Sequence, residues 1–183
     1  SIYVGGTTSI EKDVTVTLGY NMDLLNKYNR LMHDNDYDNY ALMLPEDRYS
    51  VNSMSVTLKA GNKDPYALFP IHVDVNGLIP EEEYILPLSI ISVSDYMIAS
   101  ERKDVLLKIF MKNEYATTKS PIYYNMIGTI QKEVDNNGIL EPEGGESPMN
   151  STKLVTPISK YGIRVLPGTV QSDPGASQQS LRL

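Results

Sequence analysis

Alternation of apolar and polar residues, repeated along most of the chain, is the feature that most limits what this sequence can fold into. In a β-strand, successive side chains point to opposite faces, so a period of two places one set in a core and the other in water. The segment VTVTLGY puts Val14, Val16, Leu18 and Tyr20 on one side. The same period occurs in SMSVTLKAG, LFPIHVDV and VLLKIFM. We therefore expect these segments to be half-buried strands.

Three other segments also have strand character: SIYV, YILPLSIISV and YYNMIGTIQK. YILPLSIISV is apolar on both faces, as expected near the centre of a sheet. Pro87 within it cannot donate a ladder hydrogen bond, which predicts a bulge or an edge there. About seven strands separated by Gly, Pro, Asn and Asp turns predict a mainly β fold, an antiparallel β-sandwich.

One segment, DLLNKYNRLMH, breaks the two-residue rhythm. Its apolar residues recur at helical spacing, and Asp23 stands where an N-cap belongs, so we predict one short amphipathic helix. A helix of this kind normally buries its apolar stripe against the core rather than offering it to a partner. The residues of this stripe are Leu24, Leu25, Tyr28, Leu31 and Met32.

The composition changes after Glu133. The stretch VDNNGILEPEGGESPMN is rich in Gly, Pro, Asn and Glu, which is typical of a linker. We predict a sandwich domain over residues 1–133, a linker over 134–152, and the start of a second module or a mobile tail over 153–183. The tail segment KLVTPISKYGIRVLPG has strand character without an evident partner, so we expect it to pair with a neighbouring molecule or a further module.

Charge and composition exclude several classes of function. A net charge of -7 argues against nucleic acid as a partner, because phosphate contacts need clustered Lys and Arg. No apolar run approaches the ~20 residues that span a bilayer. The absence of cysteine excludes disulfides and Cys-ligated metals, and the two histidines are too few for a zinc site. Without a nucleophile elbow, a phosphate loop or an H-E-x-x-H helix, we predict no cofactor and no enzymatic activity.

The loop HDNDYDNY raises the question of a metal site, because Asp34, Asp36 and Asp38 alternate as in a calcium-binding loop. Such a loop also needs a glycine for its sharp turn and a bidentate glutamate at its end. Asn39 and Pro45 stand at those two positions. We expect a solvated acidic loop, and the alternative is an irregular cation site on Asp34, Asp36 and Asp38.

The chain contains 13 tyrosines and no tryptophan. Tyrosine supplies a rigid ring with one polar end, a combination suited to holding sugars. Tyr37 and Tyr40 in the acidic loop and Tyr96 in the turn SDYM are the ones expected to be exposed. We therefore take Tyr37, Tyr40 and Tyr96 as candidate ligand-binding residues, with ordinary packing as the alternative.

The order of several blocks resembles a known family, the N-terminal domain of unknown function found in many Bacteroidetes surface lipoproteins. The resemblance covers residues 1–133 and rests on SIYV, VTVTLGYN, LLNKYN, YALMLPEDRYSV, MSVTLKAG and EEYILPLSI. It implies an immunoglobulin-like sandwich that precedes varied C-terminal modules, including glycan-binding domains and family 18 glycoside hydrolases. The lipid-bearing cysteine and the signal peptide of the family are missing from this sequence, and the catalytic motif of that hydrolase family is not matched.

The resemblance implies a non-catalytic module of a cell-surface or outer-membrane lipoprotein. Such a module would bind glycans, serve adhesion, or space a C-terminal binding domain away from the membrane. Its partners would be a glycan or another surface protein, and it would reach the membrane only through a lipid anchor absent from this chain. The alternative is a carbohydrate-active hydrolase that uses carboxylates of the acidic loop and of Glu81–Glu83, about 5 to 9.5 Å apart across a cleft.

Overall fold

The computed structural model describes residues 1–5, 9–61, 65–166 and 181–182. The described chain is mainly β, with strands β1 to β13 and a single α-helix, which confirms the predicted fold class. Contacts divide it into two compact units. Unit 1 comprises Ser1–Val75 and Glu82–Ile109, and unit 2 comprises Asn76–Glu81 and Phe110–Leu183. No helix in the described residues is long and apolar enough to cross a membrane.

Unit 1 is built on one central strand. Its helix is α1 (Met22–His33), and its strands are β1 (Ile2–Tyr3), β2 (Val14–Tyr20), β3 (Leu42–Met43), β4 (Tyr49–Val51), β5 (Ser55–Leu58), β6 (Tyr66–Ala67), β7 (Ile71–Val73), β8 (Tyr84–Val93) and β9 (Asp104–Ile109). One edge of β8 pairs with β9, and the other edge pairs with β2 and β3. β5 extends the sheet beyond β2. Two small antiparallel sheets, β1 with β6 and β4 with β7, accompany it.

The pairing of β3 with β8 is parallel, in contrast to the antiparallel ladders elsewhere in the described sheets. The chain reverses its direction between β2, which is antiparallel to β8, and β3, and the segment that contains α1 makes this reversal. The N–H of Leu42 donates to the Glu83 carbonyl, and the N–H of Leu44 donates to the Ile85 carbonyl. A strand of two residues is too short for its sequence to indicate whether it pairs parallel or antiparallel.

Pro87 lies in the middle of β8 and pairs in register with Leu106 of β9. Its carbonyl accepts a hydrogen bond from the N–H of Asn21, so its backbone faces the junction between β3 and β2. In a strand, the N–H and the C=O of one residue point to the same edge. The N–H that Pro87 lacks would therefore also face this junction, where Pro87 is paired with neither β2 nor β3. The register shift of β8 against β2 lies near Ile90 instead. Of the two alternatives expected at Pro87, a bulge or an edge, the bulge is not observed, because the register with β9 is regular through Pro87.

The two faces of the central sheet pack differently. Ile85 and Leu106 contact the helix side, where they cluster with the buried residues Leu25 and Ala41. Val14, Val16 and Leu58 are buried on the opposite side, in a second cluster with Ile10. The two-residue period of β2, β8 and β9 thus sorts side chains between two separate cores, as alternation predicts.

Helix α1 confirms the predicted helix but corrects two details. The N-cap is Asn21, whose side-chain oxygen accepts a hydrogen bond from the Leu24 N–H, and Asp23 lies within the first turn. Leu25 is buried, but Leu31 is 74% exposed and Met32 is also exposed. The apolar stripe is therefore buried or partly buried only in its first half.

Unit 2 is dominated by a long β-ribbon. Its strands are β10 (Ile122–Asn136), β11 (Ile139–Pro157), β12 (Ile163–Val165) and β13 (Leu181–Arg182). The four strands pair antiparallel in this order. A small core of Ala116, Val155 and Val165 lies at the base of the ribbon, and Lys153, which pairs with Tyr124, is buried as well. The Arg164 guanidinium forms an ion pair with Glu81.

Residues 134–152, for which the sequence predicts a linker, form the outer part of this ribbon. The contact-based division comes after Ile109, which differs from the predicted boundary near residue 133. The expectation that the tail segment lacks partners in the chain is wrong, because Leu154 and Val155 pair with β10 and Val155–Pro157 pair with β12. The physical reason is local: Asn137 and Gly138 both have positive φ and close a two-residue hairpin.

Candidate functional site

Two places in unit 1 have the features of a binding site. The first is the segment 34–40, which follows α1 and is called the tyrosine loop below. The second is a cavity on the sheet face opposite to α1. The residues predicted from the sequence are divided between these two places.

The tyrosine loop is folded by short-range contacts. A 3-10 turn over Tyr37–Asn39 follows the helix, and the Asn39 amide donates to the Asp36 carboxylate at 2.7 Å. The Tyr40 hydroxyl donates to the Asp34 carbonyl at 2.7 Å, which closes the loop. The rings of Tyr37 and Tyr40 lie with centroids 5.1 Å apart. Tyr37 is 70% exposed, whereas Tyr40, which the sequence predicts to be exposed, is half-buried.

A polar cluster lies beside the loop at the end of α1. The Tyr28 hydroxyl donates to Glu83 at 2.6 Å, and Lys108 forms an ion pair with the same carboxylate at 2.9 Å. The ring of His33 lies between those of Tyr28 and Tyr40, at centroid distances of 6.4 Å and 6.3 Å. The His33 Nε2 is buried without a hydrogen-bond partner among the described residues.

The hydrogen bond to Glu83 raises the pKa of Tyr28 to about 12, with burial adding to the effect. Burial raises the pKa of Glu83, but the hydrogen bonds from Tyr28 and Lys108 outweigh it and lower the pKa overall. A carboxyl group with a lowered pKa is ionised at neutral pH, so Glu83 is unsuited to act as a general acid. Glu81 belongs to unit 2, where it is paired with Arg164.

The three aspartates of the loop do not assemble into a metal site. Among the described residues, no group of three or more His, Asp or Glu side chains is placed to hold a metal ion. Asp34 and Asp36 use oxygens for contacts inside the loop, through the Asp34 carbonyl and the Asp36 carboxylate. Alternate spacing brings ligands to one point only when the loop turns sharply, and this loop forms a 3-10 turn instead.

The cavity of unit 1 has a volume of about 640 Å³. Its walls come from the sheet face opposite to α1, from the first residues of the chain, and from the region of β7. The wall side chains that belong to the central sheet are apolar, and most of them alternate along their strands: Val14, Val16, Leu18, Leu58, Leu88, Ile90, Val93, Val105 and Leu107. The intervening Leu106 packs toward α1, so the cavity and the helix contact opposite faces.

Exposed residues of the turn between β8 and β9 also line the cavity, and this part of the lining is called the mouth below. Tyr96 lines it with a φ of 68°, supported by a hydrogen bond from its N–H to the Asp95 carboxylate. Met97, 95% exposed, lies beside Tyr96. Two cationic residues, Arg102 and Lys103, also line the cavity.

The structure thus divides the predicted tyrosines. Tyr37 and Tyr40 contact each other, but no ring contact among the described residues joins either to Tyr96. The cavity was not predicted from the sequence. The sequence shows only the apolar residues of the strands that line the cavity. Whether space remains between the layers depends on how closely they pack.

Two family models match this chain, one in its N-terminal part and one in its C-terminal part. A family model for an N-terminal domain matches residues 1–97, and a model for a C-terminal domain matches residues 103–181. The first model covers more than half of the chain, so the chain belongs to the family that this N-terminal domain defines. This finding confirms the resemblance to a Bacteroidetes domain of unknown function. A comparison with curated proteins found no match.

Solved structures with a similar fold come from Bacteroides. A protein of unknown function from Bacteroides ovatus has a TM-score of 0.66 at 18% identity, with 98% of this chain and 56% of that one covered. An auxiliary nutrient binding protein from Bacteroides thetaiotaomicron has a TM-score of 0.63 at 21% identity, with 99% and 56% covered. A multidomain protein including DUF1735, from Bacteroides ovatus, has a TM-score of 0.66 at 16% identity, with 98% and 55% covered. The chain spans just over half the length of these proteins.

Proposed function

We propose that this chain is a non-catalytic module of a bacterial cell-surface lipoprotein, and that it captures glycans through the tyrosine loop. The observation that carries the proposal is the exposed ring of Tyr37 packed against Tyr40 beside the polar side chains of Asp36, Asp38 and Asn39. An aromatic face can cover the C–H face of a sugar while adjacent carboxylates and amides accept and donate hydrogen bonds to its hydroxyls.

The wider context supports the same proposal. One structural relative is named an auxiliary nutrient binding protein, and its fold is shared over nearly the whole of this chain. A module of this kind would reach the membrane through a lipid anchor outside this sequence, and the partner of the loop would be a glycan or a glycosylated surface protein. The carboxylate arrangement supports binding better than hydrolysis, because Glu83 is held ionised by Tyr28 and Lys108.

The proposal is tested by screening the chain on an array of plant and mucosal glycans, followed by titration calorimetry with the glycan that binds. Tyr37→Ala should weaken binding by about tenfold, since an aromatic contact contributes roughly 0.5 to 1.5 kcal/mol beyond its buried area. Tyr37→Phe keeps the ring and should retain most of the affinity.

The matched control is Tyr161→Ala, which removes an equally exposed tyrosine from unit 2. Equal affinities for wild type and Tyr37→Ala would place the glycan elsewhere. If the chain binds no glycan on the array, the spacer role is favoured instead, in which the module positions a C-terminal binding domain.

A further inference from the structure

The cavity of unit 1 is partly open to solvent, and most of its lining is apolar. Protein interiors contain few voids larger than a water molecule, whereas ligand pockets range from roughly 300 to 1,000 Å³. A volume of about 640 Å³ lies in the middle of that range.

The charge at the mouth specifies what kind of apolar molecule would fit. Asp95 is neutralised by Lys12 through an ion pair of 2.6 Å. The side chains of Arg102 and Lys103 have no ion-pair partner in the part of the chain that the structure describes. The mouth therefore carries two uncompensated positive charges, on a chain whose net charge is -7.

We infer that this cavity binds a single-chain amphiphile, with an aliphatic chain against the partly exposed side chains of Ile90, Val105 and Leu107 and an anionic head, such as a carboxylate, at Arg102 and Lys103. The exposed Met97 is placed to cover the chain near the mouth, because its flexible thioether adapts to irregular apolar surfaces. The sheet face used here is opposite to the one that packs on α1. The inference is therefore independent of the glycan proposal.

The test is titration calorimetry of the full chain with dodecanoate below its micelle concentration. We expect saturable one-to-one binding that weakens from dodecanoate to decanoate to octanoate. The loss should be roughly fourfold for each methylene removed, since each buried methylene contributes about 0.8 kcal/mol. Absence of saturable binding, or an affinity independent of chain length, would overturn the inference.

Charge variants test the position of the head group. The double variant Arg102→Ala with Lys103→Ala should bind dodecanoate roughly fivefold more weakly, since an exposed charge pair is worth about 0.2 to 1 kcal/mol. The control is Lys27→Ala with Arg30→Ala, which removes the same charge from exposed positions on α1. Circular dichroism confirms that both variants fold.

The neutral probe 1-dodecanol should bind both double variants equally well. An equal loss of dodecanoate affinity in the control variant would show that only net charge matters and would contradict the assigned site. Binding to phosphatidylglycerol vesicles without binding to free dodecanoate would also contradict it, because it would identify a membrane surface rather than a single-chain cavity.

Discussion

At the scale of single residues, the most informative side chain is Asn29. It is 4% exposed on the inner side of α1, where a polar residue is unusual. Its amide donates to the Ala41 carbonyl at 2.9 Å, and its side-chain oxygen accepts from the Ala41 N–H at 2.8 Å. One side chain therefore satisfies both backbone groups of a buried residue and attaches α1 to the chain that enters β3.

We predict that Asn29→Ala lowers the free energy of unfolding by about 2 to 4 kcal/mol, because it leaves a buried donor and a buried acceptor unpaired. Urea denaturation measures the change. Asn26→Ala, at an exposed position of the same helix, is the matched control and should change stability by less than about 0.5 kcal/mol. Equal effects of the two variants would mean that the Ala41 contact contributes nothing.

Glu83 connects the helix end to the sheet in a pH-dependent way. Burial raises its pKa, but the hydrogen bonds from Tyr28 and Lys108 lower it overall below the ordinary value of 4.5. A lowered pKa in the folded state means that the stabilisation is present above the unfolded pKa and is lost as pH falls through the folded pKa. The affected range is therefore the acid side of about pH 4.5.

We predict that Glu83→Gln reduces the loss of thermal stability between pH 5 and pH 3, about the range set by this linkage, and lowers the melting temperature at pH 7. The control is Glu82→Gln, which removes the adjacent carboxylate outside this hydrogen-bonded cluster. Melting temperatures measured across this pH range decide the matter. A pH profile unchanged in Glu83→Gln would show that other carboxylates govern acid unfolding.

At the scale of elements, the β10–β11 ribbon depends on its turn. Asn137 and Gly138 have φ values of 57° and 86°, as a tight hairpin with right-handed strand twist requires. The Gly138 N–H also donates to the Asp135 carboxylate at 2.6 Å. Pairing resumes beyond a register shift between Ile130 and Lys132, where Gly144, also with positive φ, accommodates the extra residues of β11.

We predict that Gly138→Ala speeds amide hydrogen exchange in the outer ribbon by about tenfold, because a Cβ at this φ costs roughly 1 to 2 kcal/mol. Gly128→Ala is the control: Gly128 lies in the same ribbon without positive φ, and a Cβ added there would have no atom within 4 Å. Exchange followed by mass spectrometry distinguishes the two. Similar protection in both variants would show that the turn does not hold the ribbon together.

At the scale of the whole molecule, the division into two units sets which parts depend on each other. We propose that residues 110–166 form one folding unit, because β10 finds its partner in β11 and the core of Ala116 includes Val155 and Val165. Removing residues 136–183 should therefore unfold the rest of unit 2 while unit 1 keeps its sheet.

Nuclear magnetic resonance of the shortened chain tests this expectation. Amide signals of residues 110–135 should move to random-coil positions, and those of β2, β8 and β9 should stay dispersed. Dispersed signals throughout would instead support a self-contained domain that ends near residue 133.

What the sequence determined by itself is local. Alternation located β2, β5, β7 and β9, a run apolar on both faces located β8, and helical spacing located α1. The Asn137–Gly138 pair carried the hairpin signal even though the surrounding Gly and Pro residues indicate a linker. These features depend on steric preferences within a few residues, so they can be read without the rest of the chain.

The tertiary structure alone decided how distant segments meet. It made β3 parallel to β8, buried Asn29 against Ala41, separated Tyr96 from Tyr37 and Tyr40, and opened a cavity beneath the central sheet. Each of these outcomes depends on contacts between residues far apart in the chain, where many pairings satisfy the same apolar pattern. Packing of the complete set of elements selects among those pairings, because only the assembled layers determine which side chains fill space and which leave it empty.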